Sequence, residues 1–266
     1  MKRHARAGGS DSVCAGGRRL ECSWFGPPPT ESPTLVFLHE GLGCVASWRE
    51  FPKSVAEATG CGALVYSRAG YGQSDPAELP RPIRYMHDEA VVLDEVLQRT
   101  GVRNAILVGH SDGASIALIY AGSAKREILR GLILEAPHVF AEPSGIESIA
   151  AMKVQYESSD LRDLLARHHG ENVDCAFRGW NDVWLDPGFR DWNIEEFLPA
   201  IDVPILLLQG SEDEYGSWEQ IKAIEGKVRS EVKAIRIPTC GHAPHRDHPG
   251  LVLAAMTAFV LEEVLK

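Results

Sequence analysis

The chain has 266 residues, of which 44% are hydrophobic and 24% charged, a balance typical of one globular domain with a large buried core. Its formal net charge of −10 at pH 7 argues against nucleic acid or an anionic membrane as a main partner. The six scattered cysteines show no metal-ligand spacing, and no apolar run reaches the ~18 residues of a membrane span, so we expect a cytoplasmic protein, monomeric or homodimeric.

The predicted elements begin behind residues 1–10, a glycine- and serine-rich, basic segment that we expect to be a disordered tail. Short apolar runs then recur along the chain. They lack the alternation of apolar and polar residues that marks a half-exposed strand, so they indicate parallel strands that are covered on both faces. Helical periodicity follows Tyr85 and recurs near the C-terminus. Strands alternating with helices predict an α/β fold, with a mostly parallel central sheet and helices on both faces. The predicted strands are 35–38, 63–66, 105–108, 132–134, 205–208 and 234–237.

One long segment interrupts this alternation. Residues 140–199 lack a clear strand but have helical patterns at 146–157 and 161–168, followed by a tryptophan-rich run. About 60 residues are too many for a plain loop in a compact domain. We therefore predict a helical cap over 140–199, inserted into a core formed by 11–139 and 200–266.

The strongest motif is the G-x-S-x-G sequence at 109–113, with Ser111 at its centre. An apolar predicted strand enters the motif and a good helix sequence leaves it. Such a strand-to-helix turn is sharp, so it needs glycine at both flanks and pushes its serine into an exposed, strained position. The positive end of the following helix favours an anion near the serine oxygen. Ser111 is therefore the candidate nucleophile.

A serine nucleophile requires a base, and the best candidate is His242. It follows the last predicted strand and precedes the last helix, so its loop can bring the imidazole to the sheet edge near Ser111. His245 and His248 lie further toward the helix, and we interpret them as surface or capping histidines.

The base needs an acceptor that fixes its tautomer, and Asp213 comes directly after the predicted strand 205–208. Gly210 allows the turn between them. Glu135, which ends another predicted strand, stays the alternative.

Acyl transfer also needs N–H donors for the developing oxyanion. We expect one from the backbone of Asp112, the residue after Ser111, and another from Gly41 in the loop after strand 35–38. His39 in that loop is interpreted as a buried ring that braces the loop.

These motifs together resemble the α/β-hydrolase superfamily over nearly the whole chain after residue 18. The residues that carry the likeness are FLHEGLG (37–43), SRAGYGQSD (67–75), GHSDG (109–113), GSEDE (210–214) and CGHAPH (240–245). The oxyanion loop reads His-Glu-Gly where many members have His-Gly-x, which places Glu40 near the site. The Ser-Asp-Gly run is similar to that of biphenyl-hydrolase-like esterases, which cleave amino-acid esters. Epoxide hydrolases and haloalkane dehalogenases are disfavoured, because their elbow carries Asp instead of Ser.

The expected partner is a small acyl substrate. Trp180 and Trp184 are candidates for lining its pocket, although packing of the cap is the alternative for each. Asp112 and Glu40 would favour a cationic substrate if both point inward; alternatively, Asp112 caps its own helix.

The sequence thus predicts a serine hydrolase that acts on a carboxylic ester through an acyl-enzyme, with no cofactor. A carbon–carbon bond hydrolase or a cofactor-free perhydrolase could use the same three residues. A non-catalytic ligand-binding protein on the same fold is the remaining alternative, because fold alone does not fix function.

Overall fold

The computed structural model describes residues 11–123 and 127–266, so the predicted tail at 1–10 lies outside the described residues. Eight strands in the described part of the chain form one sheet with the order β1-β2-β4-β3-β5-β6-β7-β8. Pairing of β1 with β2 and of β2 with β4 is antiparallel, and all other neighbours are parallel. The strands are β1 (Asp11–Ala15), β2 (Arg18–Phe25), β3 (Thr34–Leu38), β4 (Gly62–Tyr66), β5 (Ala105–His110), β6 (Leu129–Glu135), β7 (Ile205–Gly210) and β8 (Val232–Ile237).

Helices cover both faces of this sheet, which confirms the predicted α/β-hydrolase fold. The α-helices are α1 (Phe51–Thr59), α2 (Tyr85–Thr100), α3 (Asp112–Ser123), α4 (Pro143–Ser158), α5 (Leu161–His169), α6 (Val173–Trp184), α7 (Trp218–Lys227), α8 (Pro244–Asp247) and α9 (Pro249–Phe259). Short 3₁₀ turns lie at Val45–Trp48, Gly170–Asn172, Pro187–Asp191 and Glu195–Ala200, and a π turn, Val260–Val264, follows α9. No helix in the described ranges has both the length and the apolar character required to cross a bilayer.

Alternate residues of each central strand enter two different cores. In β3, Leu35 and Phe37 pack with α1 and α9 on one face, whereas Val36 and Leu38 pack with α2 and α3 on the other. Burial on both faces explains why the sequence of these strands is continuously apolar.

The sequence prediction missed the hairpin formed by β1 and β2. Its turn is Gly16-Gly17, and both glycines have the positive φ, 58° and 69°, that a two-residue hairpin turn requires. Strand β1 is at the sheet edge and β2 lies next to it. Both strands are partly exposed, so they lack the continuous apolar run of the central strands.

The segment between β6 and β7 contains α4, α5 and α6, besides 3₁₀ turns and one isolated bridge between Phe140 and Asn193. Helix α6 was not predicted, although its buried residues recur at helical spacing: Val173, Ala176, Phe177, Trp180, Val183 and Trp184. The helix ends at Trp184, within the tryptophan-rich run, so the apolar residues beyond it do not continue its spacing.

Candidate active site

The turn between β5 and α3 carries Ser111 at the carboxyl edge of the parallel strands. Ser111 has φ 54°, a left-handed conformation that is strained for a residue with a side chain. The turn is tight enough that a Cβ at Gly113 would overlap the carbonyl of Leu38 on the neighbouring strand. The backbone N–H of Ser111 donates to the carbonyl of Glu135 at 2.9 Å, which joins the turn to the end of β6.

The loops after β7 and β8 bring Asp213 and His242 together. His242 Nδ1 lies 2.8 Å from Asp213 Oδ1 and 2.9 Å from Oδ2, so the carboxylate holds the ring in the tautomer protonated at Nδ1. Burial would raise the pKa of Asp213, but the His242 ring and the backbone N–H of Tyr215 lower this pKa to about 2. Gln209 Nε2 donates to Asp213 Oδ2 at 2.8 Å and fixes the other side of the carboxylate. Asp213 is therefore an ionised acceptor in a fixed position.

The loop after β3 contains Gly41 and is held rigidly. His39 is fully buried: its Nδ1 donates to the carbonyl of Glu40 at 2.7 Å, and its Nε2 accepts from the backbone N–H of Arg68 at 3.0 Å. The prediction that His39 braces this loop is thus confirmed. A Cβ at Gly41 would overlap the indole of Trp180, so glycine is required for α6 to approach the loop this closely.

The side chain of Asp112 points away from the cavity into a buried polar cluster. Its Oδ2 accepts from the Tyr85 hydroxyl at 2.6 Å, its Oδ1 accepts from Trp184 Nε1 at 3.2 Å, and Arg68 lies 3.8 Å away. Burial raises the pKa of this carboxyl, and Arg68 and Tyr85 limit the rise. These contacts agree with neither of the two sequence interpretations of the Asp112 side chain, which were contact with substrate and capping of its own helix.

Glu40 lines the cavity but is already paired. Its Oε1 accepts from Arg246 on α8 at 3.0 Å, and its Oε2 lies 3.6 Å from His110 Nδ1. Burial would raise the pKa of Glu40, but His110 and Arg246 hold it well below its ordinary value. The negative charge of Glu40 is thus balanced by a neighbouring cation instead of being open to a ligand.

One cavity of about 340 Å³ brings the candidate residues together. Its lining includes Ser111 and His242, together with Gly41 and both candidate tryptophans, Trp180 and Trp184. Asp213 and Asp112 lie behind this lining.

Two other aromatic residues of the segment between β6 and β7 pack on each other. Phe189 stacks on Trp192 with ring centroids 5.2 Å apart, and neither residue lines the cavity. Within residues 11–123 and 127–266, no group of three or more His, Cys, Asp or Glu side chains could hold a metal ion.

Comparison with known proteins agrees with this architecture. A model of the alpha/beta hydrolase family matches residues 35–255, which is most of the chain. The chain belongs to the alpha/beta hydrolase family.

Similarity to individual members of the family is low. The monoglyceride lipase of Mus musculus is 23% identical over 278 residues, covering 95% of this chain and 87% of the lipase. The proline iminopeptidase of Lactobacillus helveticus is 24% identical over 222 residues, covering 69% of this chain and 75% of the peptidase. The esterase structure from Exiguobacterium antarcticum superimposes with a TM-score of 0.73 at 19% identity, covering 95% of this chain and 100% of the esterase. Lipases, peptidases and esterases thus all occur among the relatives of this alpha/beta hydrolase.

The site of this alpha/beta hydrolase also contains residues that sequence reasoning did not assign. His245 is buried and pairs with Glu135, so its interpretation as a surface or capping residue was wrong. Glu135 accordingly pairs with His245, and the acceptor of His242 is Asp213. His138, Arg49 and Arg246 line the cavity. Their positions depend on which loops meet in space, for which the local sequence carries no signal.

Proposed function

We propose that this alpha/beta hydrolase is a serine hydrolase that cleaves small carboxylic esters through an acyl-enzyme intermediate. The observation that carries the proposal is the 2.8 Å contact of His242 Nδ1 with Asp213, on a ring that lines one cavity together with Ser111. Lipase and esterase relatives support hydrolysis of an ester, whereas the peptidase relative keeps an amide bond as the second possibility.

In the proposed mechanism, His242 Nε2 removes the proton of Ser111 Oγ as that oxygen attacks the ester carbonyl carbon. The carbonyl π electrons move onto oxygen, and the backbone N–H groups of Gly41 and Asp112 stabilise this oxyanion. The carbon–oxygen bond to the alcohol then breaks, and His242 gives its proton to the leaving alcohol. Water attacks the acyl-enzyme by the same steps and regenerates Ser111.

Asp213 acts in this mechanism through His242. Its carboxylate orients the ring and stabilises the imidazolium that forms twice in each cycle. With its pKa lowered to about 2, Asp213 remains ionised at neutral pH. No step calls for a further group.

We also propose that residues 140–199 form a cap that governs substrate choice. Helices α4, α5 and α6 each contribute side chains to the cavity, for example Met152, Leu165 and Trp180. These residues make part of the cavity wall apolar, and the acyl chain or the alcohol would lie against it.

The test combines labelling with a fluorophosphonate probe and hydrolysis of p-nitrophenyl esters. We expect the probe to label Ser111, Ser111→Ala to lose about 10⁴–10⁶-fold in kcat, and Asp213→Asn to lose about 10³–10⁴-fold. Glu212→Gln is the matched control, because Glu212 is an exposed carboxylate beside Asp213.

Two results would contradict the proposal. A folded protein that is not labelled at Ser111 would exclude serine catalysis. Hydrolysis of a dienol-ketone substrate, with p-nitrophenyl esters left intact, would favour a carbon–carbon bond hydrolase instead.

A further inference from the structure

The two sides of the active-site cavity differ in chemistry. Helices α4 and α5 contribute the apolar side chains Ile149, Met152, Leu161 and Leu165. The core side contributes Glu40, Arg49 and Arg246. A ligand that fills this cavity therefore meets hydrocarbon on one side and ionised groups on the other.

The ionised groups of the lining leave one positive charge unbalanced. Glu40 and Arg246 form an ion pair at 3.0 Å and compensate each other. Arg49 is exposed, and its side chain has no hydrogen bond or ion pair with any residue in the described parts of the chain. Apart from histidines, the charged residues of the lining are therefore two cations and one anion. The guanidinium of Arg49 is the cation that remains free to bind a ligand.

The backbone fixes where Arg49 lies. It has φ 51° and ψ −132°, a conformation in which glycine is the ordinary residue. Its neighbour Trp48 is almost fully buried in the core, and Phe51 begins α1 two residues later. A bulky, charged residue in a left-handed conformation at the wall of a cavity is typical of a functional position.

The two acidic residues on which the expectation of a cationic substrate was based are both paired with arginines. Asp112 lies outside the lining and contacts Arg68, and Glu40 contacts Arg246. The sequence-based expectation of a cationic substrate therefore has no open carboxylate to support it. The charge of the cavity favours the opposite sign.

We infer that the substrate is an ester that carries a carboxylate, bound by Arg49 beside the Glu40–Arg246 pair, with its hydrocarbon portion against α4 and α5. A guanidinium binds a carboxylate through two parallel N–H···O hydrogen bonds, and its planar geometry suits that group. This inference rests on the proposed ester hydrolysis and adds the substrate class and a specificity-determining residue. The carboxylate can belong to the acyl portion or to the alcohol portion of the ester.

The experiment compares matched esters in two series. In the acyl series, p-nitrophenyl hydrogen glutarate is compared with p-nitrophenyl pentanoate. In the alcohol series, 4-acetoxybenzoate is compared with 4-methylphenyl acetate. For each series, the readout is the ratio of kcat/KM for the anionic ester to kcat/KM for the neutral ester, so differences in leaving-group reactivity cancel between variants.

We expect Arg49→Gln to lower this ratio by about three- to tenfold in one of the two series, as befits a partly exposed ion pair. Arg49→Glu should lower it further, and Arg49→Lys should retain only part of it, because the charge remains but the two parallel hydrogen bonds are lost. Added salt should reduce the preference of the wild-type protein. Arg103→Gln is the control, because its loss changes the net charge equally. Arg103 is exposed and precedes β5, so it lies at the amino end of the strands, away from the end that carries Ser111.

Thermal unfolding of each variant verifies that the fold is intact. If neither Arg49→Gln nor Arg49→Glu changes the ratio in either series, while Ser111-dependent hydrolysis of neutral esters persists, the carboxylate inference is wrong and the proposed function stands. If no ester is hydrolysed in a Ser111-dependent manner, the proposed function fails and the inference fails with it.

Discussion

Glu135 Oε2 lies 2.9 Å from both the backbone nitrogen and the ring Nδ1 of His245, and all of these groups are buried. The carbonyl oxygen of Glu135 accepts from the backbone N–H of Ser111. One residue at the end of β6 thus joins the nucleophile turn to α8, which begins two residues after His242. Burial would raise the pKa of Glu135, but His245 and His110 lower it below its ordinary value, so this carboxylate is ionised at neutral pH.

Removing this buried partner should destabilise the fold strongly. We expect Glu135→Ala to lower the free energy of unfolding by about 3–5 kcal/mol, because two N–H groups of His245 lose their acceptor inside the protein. Glu225→Ala, at an exposed position of α7, should change it by less than about 0.5 kcal/mol. Urea unfolding measures both. A loss below about 1 kcal/mol for Glu135→Ala would show that the pair contributes little.

A second prediction concerns Asp112, whose carboxylate contacts Tyr85, Trp184 and Arg68 instead of the cavity. We expect Asp112→Ala to destabilise the protein by about 3–5 kcal/mol, since the almost fully buried Arg68 would lose its counter-ion. Asp112→Asn should leave the preference between amino-acid esters and neutral acyl esters unchanged.

The kcat/KM ratio for a matched pair of such esters measures this preference. A specific loss of activity toward the amino-acid ester in Asp112→Asn would contradict the buried, structural role of Asp112. It would also support the sequence-based expectation that Asp112 favours a cationic substrate.

Some features of this protein follow from short stretches of sequence. The central strands are buried on both faces, so their apolar runs are visible without any knowledge of the partners. Ser111 and Asp213 each follow such a strand, and His242 follows the partly exposed edge strand β8. Parallel strands end at one sheet edge, so the proximity of these three residues was predictable. The strands β1 and β2 were missed because both are partly exposed and lack a continuous apolar run, although Gly16-Gly17 was a usable hairpin signal.

Other features depend on which distant segments meet. Glu135 and His245 are 110 residues apart, and Glu40 and Arg246 are 206 residues apart. No local pattern distinguishes a histidine that pairs with a distant carboxylate from an exposed one, which is why His245 was misinterpreted. The direction of Asp112 likewise depends on the approach of α2 and α6, which supply Tyr85 and Trp184.

A third prediction concerns the contact between Gly41 and Trp180. A methyl group at position 41 would overlap the indole, so Gly41→Ala must displace either the loop or the ring. We expect kcat to fall by about 10²–10³-fold if the loop moves, the amount associated with losing one oxyanion donor. Trp180→Leu should restore part of this activity in the double variant, because it removes the clash.

The matched control is Gly226→Ala in α7, where a Cβ would meet no atom within 4 Å. It should keep full activity and raise the free energy of unfolding by about 0.5–1 kcal/mol, the usual gain from replacing glycine in a helix. Strictly additive effects of Gly41→Ala and Trp180→Leu on kcat would show that no clash links these two positions.

The last prediction is that acid destabilises the protein through buried histidines whose pKa is lowered in the fold. Gly72 N–H donates to His169 Nδ1, and His169 Nε2 donates to the carbonyl of Leu42, each at 3.0 Å, so only the neutral ring fits. Burial lowers the pKa of His169, holds that of His39 well below its ordinary value, and lowers that of His138 to about 4. In the unfolded chain, each of these pKa values returns to about 6.5.

Because the unfolded state binds these protons first, stability is complete above about pH 6.5 and falls as the pH decreases toward the folded-state values. We expect the free energy of unfolding to fall by up to about 1.4 kcal/mol per pH unit for each such histidine between pH 6 and 5, as measured by urea unfolding. His169→Gln keeps a donor and an acceptor but does not titrate, so it should make this slope shallower. His168→Gln, on the exposed neighbour, should leave the slope unchanged. An equal slope in the wild-type protein and in His169→Gln would mean that His169 is not held neutral in the fold.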